Sequence, residues 1–510
     1  MKTQITPPRI DFVRKSLMNL FLLLTLFFLD PIMNNSISAQ IPFQSGWPII
    51  FDDICTFNPV VCEDINPNYE GKELLLIAGG NYKACPPPNP PVRLFCYSAN
   101  GQLIFEKIFS GVINKWSPCS YKPVIADIDN NGTKEIIVTY IKTFYSFLCE
   151  TELNIYNYDG TQYDEDNWPK TYEVPAENIS IPNVSVSDLD NDGDLEIFTV
   201  IYDDRIIIYN HDGTVVPNWP FLLSTTYDNN WGVPVITDLD FDNDKEIVCL
   251  TNQYIFMPGA KCRLHVLDHN ATGIWVKQFN TTALWMSPVV AELNPDNNSL
   301  EIVFADAGVS TTVHAYNLNG TYVPGFPVTI PHSNPIIKEP DVVGGNDENG
   351  DIILVSDGTW NGASPLTVAD IDKNGDMEII VVGSNELHIL NNDGSYFEPF
   401  PELILGDDIS IHSPSVVDID NDDYPDLTFM TYDRKPFPTP NGQLLYAYNN
   451  QGVLLEGFPI IIKEFNPDTN VANKASRINP PTIDDIDNDG DVEIIVTGWS
   501  SYDDGYKPSS

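Results

Sequence analysis

Basic residues are scarce in this chain. Lys and Arg together number 26 against 72 Asp and Glu, leaving a net charge of −46. A surface of that sign repels nucleic acid and anionic membranes, so neither is expected as a partner. Common catalytic signatures are missing as well: there is no HExxH, no GxSxG and no phosphate-binding loop. No CxxC occurs, which argues against a zinc site. Helical periodicity is absent beyond the first 29 residues, and with it helical bundles and α/β folds. No later apolar run approaches the ~20 residues that span a bilayer. An acidic excess alone would suit a disordered chain. Here 42% of residues are hydrophobic and regularly placed, and the acids gather in loops.

Residues 1–39 read as a signal peptide. Lys2, Arg9, Arg14 and Lys15 precede an apolar run from Leu17 to Leu29, and small residues at Ser38-Ala39 offer a cleavage point. An uncleaved anchor is the rival reading, but the run is short for one. A secreted or cell-surface protein without a transmembrane helix after signal removal follows. In an oxidising compartment the eight cysteines suggest disulfides. They fall in close pairs, Cys55/Cys62, Cys85/Cys96, Cys119/Cys149 and Cys249/Cys262, so pairing between sequence neighbours is expected.

What the chain has in abundance is one acidic loop. In Asp188-Leu-Asp190-Asn-Asp192-Gly193-Asp194-Leu-Glu196, oxygen-bearing side chains stand at positions 1, 3, 5 and 9, ahead of a strand-like Ile197-Phe-Thr-Val. That is how a short loop wraps a hard cation such as Ca²⁺, which wants six to eight oxygens. The same form recurs at Asp127/Asp129/Asn131/Glu135, Asp238/Asp240/Asp242/Glu246, Asp370/Asp372/Asn374/Glu378, Asp418/Asp420/Asp422/Asp426 and Asp485/Asp487/Asp489/Glu493. About six Ca²⁺ sites are expected. Two copies are degraded: Asp64/Asn66/Asn68 and Glu292/Asn294/Asp296 meet their acid, Glu73 or Glu301, one residue late.

Each loop joins the first two of four strand-like pieces. Most third pieces end in an Asx-Gly pair: Asp159-Gly160, Asp212-Gly213, Asn319-Gly320 and Asp393-Gly394. Such pairs signal a tight hairpin with positive φ at both central residues. The fourth piece carries an aromatic-Pro pair, as in Trp168-Pro169 and Phe326-Pro327. Four antiparallel strands per unit, at roughly 50 residues or more each, describe a β-propeller blade. The fold expected is all-β, a single propeller domain over 40–510 with eight four-stranded blades, seven being the alternative. The two chain ends would share one blade, Gly46-Trp47-Pro48 supplying its last strand.

The repeated D-x-[DN]-x-[DN]-G-x-x-[DE] ahead of an Ile/Val strand resembles the FG-GAP/VCBS repeat family, best known from integrin α-subunit propellers. The resemblance implies Ca²⁺ binding by the first hairpin of each blade. It also implies a further ligand, the backbone carbonyl of position 7: Thr133, Asp194, Asp244, Asp376, Tyr424 and Asp491.

Strand order puts metal loops and Asx-Gly turns on one face and the inter-blade links on the other. Those links carry Trp116, Trp231, Trp285 and Trp360, candidate ligand-binding rings or ordinary packing between blades. The link from Pro331 to Ser364 is the longest and a candidate binding insertion. His265, His314 and His388 share one slot of the third strand, which points to structure rather than catalysis. The function expected is a secreted, monomeric calcium-binding module for adhesion to an extracellular carbohydrate or protein, the metal being structural. The alternative, by fold analogy alone, is a polysaccharide lyase of the rhamnogalacturonan lyase type.

Overall fold

The computed structural model describes residues 59–78, 91–109, 122–144, 148–175, 182–201, 205–223, 228–229, 233–253, 261–279, 287–293, 299–307, 311–330, 345–346, 352–353, 366–383, 386–398, 403–404, 408–409, 413–433, 443–466, 471–474, 477–478 and 481–499. Strands account for the regular structure of these residues, and no helix among them is long and apolar enough to cross a membrane.

Seven four-stranded antiparallel meanders follow one another at 61–108, 124–175, 183–222, 235–279, 289–330, 367–404 and 415–466. Seven, the alternative count, is thus the number of complete blades. The sixth copy of the intact loop sits in a two-stranded hairpin, Thr482–Asp484 paired with Glu493–Ile495.

Burial explains why the second strands read as unbroken apolar runs. A blade is covered on both faces by its neighbours, so neither face needs polar residues. Glu73–Ala78 is buried throughout, whereas the fourth strand Leu103–Ile108 is largely exposed. The core is accordingly a series of inter-blade layers. Leu75, Ile77 and Leu94 of the first blade meet Ile136, Val138 and Tyr140 of the second. Val303, Phe304 and Val313 of the fifth pack with Val248 and Leu264 of the fourth and Ile379 and Val381 of the sixth. Each large side chain so buried contributes about 1.5–3 kcal/mol.

Neighbouring blades also share hydrogen bonds in fixed register. The hydroxyl three residues before the loop donates to the carbonyl four residues before the next loop: Ser185 to Pro234 at 2.9 Å and Thr367 to Pro414 at 2.6 Å. Lys at position 8 reaches the residue preceding the previous loop, Lys134 to Glu63 at 2.5 Å and Lys245 to Ser187 at 3.2 Å. The last hairpin uses both contacts toward the first blade: Thr482 Oγ1 to the Val60 carbonyl at 2.6 Å, and Lys72 to Asp484 at 2.5 Å. Ile486 and Ile495 pack on the first blade, and Ile494 and Val496 on Met430 and Leu445 of the seventh. The hairpin therefore bridges the seventh blade to the first. Gly46-Trp47-Pro48, expected to complete it, lies outside the described residues, as do the signal segment 1–39 and Trp116, Trp231, Trp285 and Trp360. Of the long link after Pro331, only the short pair Gly345–Asn346 with Ile352–Ile353 is described.

Two expectations about the fold need correction. The Asx-Gly turns are not built on two positive φ angles: Gly160, Gly213, Gly320 and Gly394 take φ of +77° to +79°, but the Asx before each does not. The amide of Gly160 bonds back to the Asn157 carbonyl, and Asp159 accepts from the Thr161 amide and hydroxyl instead. These are longer hairpin loops in which Gly alone holds the left-handed position. Gly160 is needed twice over, since a Cβ there would lie 2.9 Å from the Phe105 ring of the first blade. Second, Cys249 and Cys262 do not pair with each other. Alternation along paired strands puts Cys249 in the layer toward the third blade and Cys262 in the layer toward the fifth. Cys55, Cys85 and Cys119, one from each other expected pair, lie outside the described residues, leaving Cys62, Cys96 and Cys149.

Candidate metal centres

The six intact loops share most of one internal wiring. In five of them the position-1 carboxylate caps the amides of positions 5 and 6, and Asp188 keeps only the bond from Gly193, at 3.2 Å. Asp127 accepts from Asn131 at 2.9 Å and Gly132 at 2.8 Å, and Asp370, Asp418 and Asp485 repeat both bonds. The position-5 oxygen caps the amide of position 7, as Asp192 does for Asp194 at 2.9 Å and Asp489 for Asp491 at 3.0 Å. The position-9 carboxylate accepts the amide of position 2: Glu135 from Ile128, Glu196 from Leu189, Glu246 from Leu239, Glu378 from Ile371, Asp426 from Ile419 and Glu493 from Ile486, at 2.6–3.0 Å. Position 4 holds a left-handed φ of 51° to 61° in all six loops.

This wiring leaves oxygens over, and they converge. Candidate ligand oxygens of positions 1, 3 and 9 lie within 4.8 Å of one another in the loops beginning at Asp127, Asp188, Asp238, Asp370 and Asp418. Asp372 and Asp420 are the third-position members of the last two. Asp129 Oδ1, Asp188 Oδ1, Asp240 Oδ1 and Asp426 Oδ1 are buried there without a hydrogen-bond partner. Burial first, and then the neighbouring Asp charges, push Glu135, Glu196, Glu246, Glu378 and Glu493 up to about 7 and Asp426 to about 6. In the loop at Asp485 the third-position residue is Asp487, half-buried, and of the neighbouring charges it raises Glu493 the most. A buried carboxylate oxygen without a donor costs several kcal/mol unless a proton or a cation meets it. An all-oxygen, all-acidic donor set suits a hard divalent cation, so the residues fit the metal that the loop pattern implies.

Position 5 differs from the other side-chain positions in its surroundings. Asn131, Asp192, Asp242, Asn374, Asp422 and Asp489 are exposed, whereas every position-9 acid but Glu493 is buried. Oδ1 of each is spent on the position-7 amide: Thr133, Asp194, Asp244, Asp376, Tyr424 and Asp491 donate to it at 2.6–3.0 Å. The reversal at position 4 turns position 5 outward and across the loop, toward that amide. Asp422 keeps a second carboxylate oxygen that could still face an ion. Asn374 has a single oxygen, and its Nδ2 donates to Asp372 Oδ2 at 3.1 Å. Asn131 too has a single oxygen, and it accepts from both the amide and the hydroxyl of Thr133.

The two degraded loops keep part of this. Glu301 accepts the Leu293 amide at 2.7 Å, and Glu73 accepts those of Ile65 and Asn66 at 3.0 and 2.9 Å. The acid that arrives one residue late thus fills the same place as position 9.

Several neighbours of the loops were not evident in the sequence. The Tyr163 hydroxyl reaches Asp129 Oδ2 at 3.1 Å, and His211 Nδ1 lies 3.3 Å from Asp194. Both follow from the turn and the loop sharing one face. A cavity of about 660 Å³ opens beside the loop at 238, lined by Asp240, Asp242, Glu246, Asp268 and Asn317. The three third-strand histidines are buried in the blades: His265 is bonded to Thr251 Oγ1 at 3.1 Å, and His314 stands between Tyr322 and Asp306.

Solved structures with a similar chain path include BBS1N in complex with ARL6DN, 13% identical over 81% of this chain and 96% of that one, TM-score 0.39. The V. cholerae biofilm matrix protein Bap1 is 12% identical over 87% and 84%, TM-score 0.36. Saccharomyces cerevisiae Sqt1 is 11% identical over 89% and 97%, TM-score 0.49. No curated protein matches. The family model of the FG-GAP-like repeat matches residues 188–249 and 370–429. Those two regions, each carrying intact loops, are FG-GAP-like repeats of a β-propeller.

Proposed function

We propose that this protein is an exported, calcium-stabilised propeller that serves as a binding or adhesion module for an extracellular carbohydrate or protein ligand. The observation that carries it is the set of buried, unpartnered carboxylate oxygens converging inside the acidic loops. Calcium is favoured over magnesium because the loops offer carboxylate, amide and carbonyl oxygens in a flexible turn rather than one or two carboxylates beside ordered water. Each ion would hold the first hairpin of its blade shut, leaving the loops and links of a rigid ring free to recognise a ligand. Position 9 would both ligate the ion and pin the strand entry through the position-2 amide. Away from the loops, the contact between His314 and Asp306 is buried inside a blade rather than open to a substrate.

Two measurements test this. Calorimetric titration of the stripped protein should record uptake of about six calcium ions. A glycan array and an extracellular-matrix protein panel, each probed with calcium and with chelator, should yield a calcium-dependent ligand. Failure to take up ions would end the metal reading. Release of unsaturated oligosaccharides from rhamnogalacturonan would replace adhesion with lyase chemistry.

A further inference from the structure

We infer that the metal loops are coupled in two runs, 127–188–238 and 370–418–485, by the side chain at position 4 of each loop. This rests on the calcium reading above and adds to it a dependence of each site on the next. Asn191 Nδ2 donates to the Asn243 carbonyl, at position 6 of the following loop, at 2.7 Å. Asn421 Nδ2 meets Asp491 Oδ1, at position 7 of the following loop, at 3.1 Å. Asn130 Nδ2 packs 3.0 Å from where a Cβ of Gly193, again position 6, would stand. Lys373 Nζ lies 5.6 Å from the centre of the Tyr424 ring at position 7. Every intact loop followed by another intact loop thus sends its fourth residue to the next loop's sixth or seventh.

The sequence alone does not reveal these contacts, because they join residues about 50 to 70 positions apart whose types differ. The runs end where the next loop is degraded. At the end of the first run the fourth residue is Phe241, 50% exposed, where the other intact loops have Asn or Lys.

The consequence follows from what lies on either side of each contact. Position 4 stands between positions 3 and 5, and it must hold a left-handed φ for the loop to close. Positions 6 and 7 of the next loop adjoin the carbonyl, that of position 7, which the family resemblance assigns to an ion. An ion that orders this segment fixes the acceptor for the preceding loop's position 4, and so pre-shapes that loop. By reciprocity the preceding ion favours the following one. A backbone bond, Leu195 amide to Ile128 carbonyl at 2.8 Å, ties position 8 of one loop to position 2 of the one before. Leu300 to Leu239 and Lys72 to Ile486 repeat it at the degraded loops, so the side chain at position 4 is what sets the runs apart. Repulsion between ions does not oppose this, since a loop such as 188–196, with five carboxylates, stays net negative when filled.

Calcium titration of the metal-stripped full chain tests the coupling. In the wild type, filling a loop should raise its neighbour's affinity roughly five-fold or more, seen as a steep isotherm. Asn191→Gly combined with Asn421→Gly keeps the positive φ available and removes only the reaching amides. It should flatten the isotherm at an unchanged ion count. Asn488→Gly, at position 4 of a loop followed by the degraded loop at Asp64, should weaken one site and leave the steepness as it was. If the double variant fails to fold, Lys373→Gln, which removes the charge over Tyr424, should flatten the isotherm in part. A wild-type isotherm of independent sites, or variants as steep as the wild type, would overturn the coupling while leaving calcium binding intact. No uptake at all would overturn both.

Discussion

The six intact loops and the two degraded ones differ at a residue that is not a ligand. Position 4 is Asn130, Asn191, Phe241, Lys373, Asn421 or Asn488 in the former, each at positive φ. It is Pro67 or Pro295 in the latter. Proline is confined to φ near −65°, so these two loops cannot make the same tight reversal and each carries one residue more. Their acids still find the position-2 amide. The difference separates two tasks of one carboxylate. Pinning the entry to the second strand is kept in all eight copies, and the cluster of acids that could hold an ion goes with the six intact ones. In the first blade the pin alone remains: Glu73 is fully buried, its Oε1 has no partner, and burial pushes its carboxyl up.

Removing metal should have the largest effect. A site held at 100 times its Kd contributes about 2.7 kcal/mol to the folded state. Six such sites amount to on the order of 15 kcal/mol, or roughly 10–20 °C in the melting temperature of a chain this long. Differential scanning calorimetry with calcium and then with chelator should record it. Identical scans would erase the distinction between the two loop classes.

The response to pH should be next, and its sign should depend on the ion. Without metal, the position-9 carboxyls titrate near 6–7 when folded, above the ordinary 4.5 for Glu and 3.8 for Asp. The folded state then holds extra protons across that window, so stability should fall as pH rises from about 4.5 to 7. With calcium bound, the same groups are held ionised. Stability should then fall as pH drops, and the two melting-temperature profiles should cross. Parallel profiles would mean that the carboxylates meet no ion.

A single loop offers a finer contrast. Asp188→Ala with Asp190→Ala removes two ligands of one intact site and should cost about 2–3 kcal/mol in calcium and far less in chelator. Glu301→Gln leaves an amide oxygen to accept from Leu293, and its smaller cost should be the same in both. A calcium-dependent loss for Glu301→Gln would put a degraded loop among the metal sites.

The fold was legible because its signals are local and repeated. Strand pairs, loop positions and the shared face of loops and turns follow from spacing within one blade. Contacts between blades were not legible. Position 4 reads as a spacer until the neighbouring loop is beside it, and the Asn-Pro steps at Asn66-Pro67 and Asn294-Pro295 carried the explanation of the late acids in plain sight. Within the loop, spacing marked Asn374 and Asp422 alongside Asp372 and Asp420. It did not show that a fifth-position oxygen is first claimed by the seventh amide. The Cys249/Cys262 pairing failed because closeness in sequence says nothing about which face of a sheet a side chain leaves from. The complete-blade count turned on the last hairpin, of which two strands stand among the described residues.

The smallest expected effect bears on the seam between the last hairpin and the first blade. As Lys134 and Lys245 do in intact loops, Lys72 of the degraded loop sets an ammonium on the residue before the neighbouring loop, here Asp484, both side chains about 30% exposed. The Lys72 backbone amide also donates to the Ile486 carbonyl at 2.8 Å, so the chain there stays anchored when the side chain changes. Lys72→Met keeps the stem and that amide and removes only the charge. A partly exposed pair is screened and holds long side chains in place, so the loss should be about 0.2–1 kcal/mol. It should shrink in high salt and be equal with calcium and with chelator, because no ion of the cage is lost. Denaturant melts of the variant under the four conditions measure this. A loss confined to calcium would mean that the degraded loop answers to metal after all, and the two classes of loop would become one.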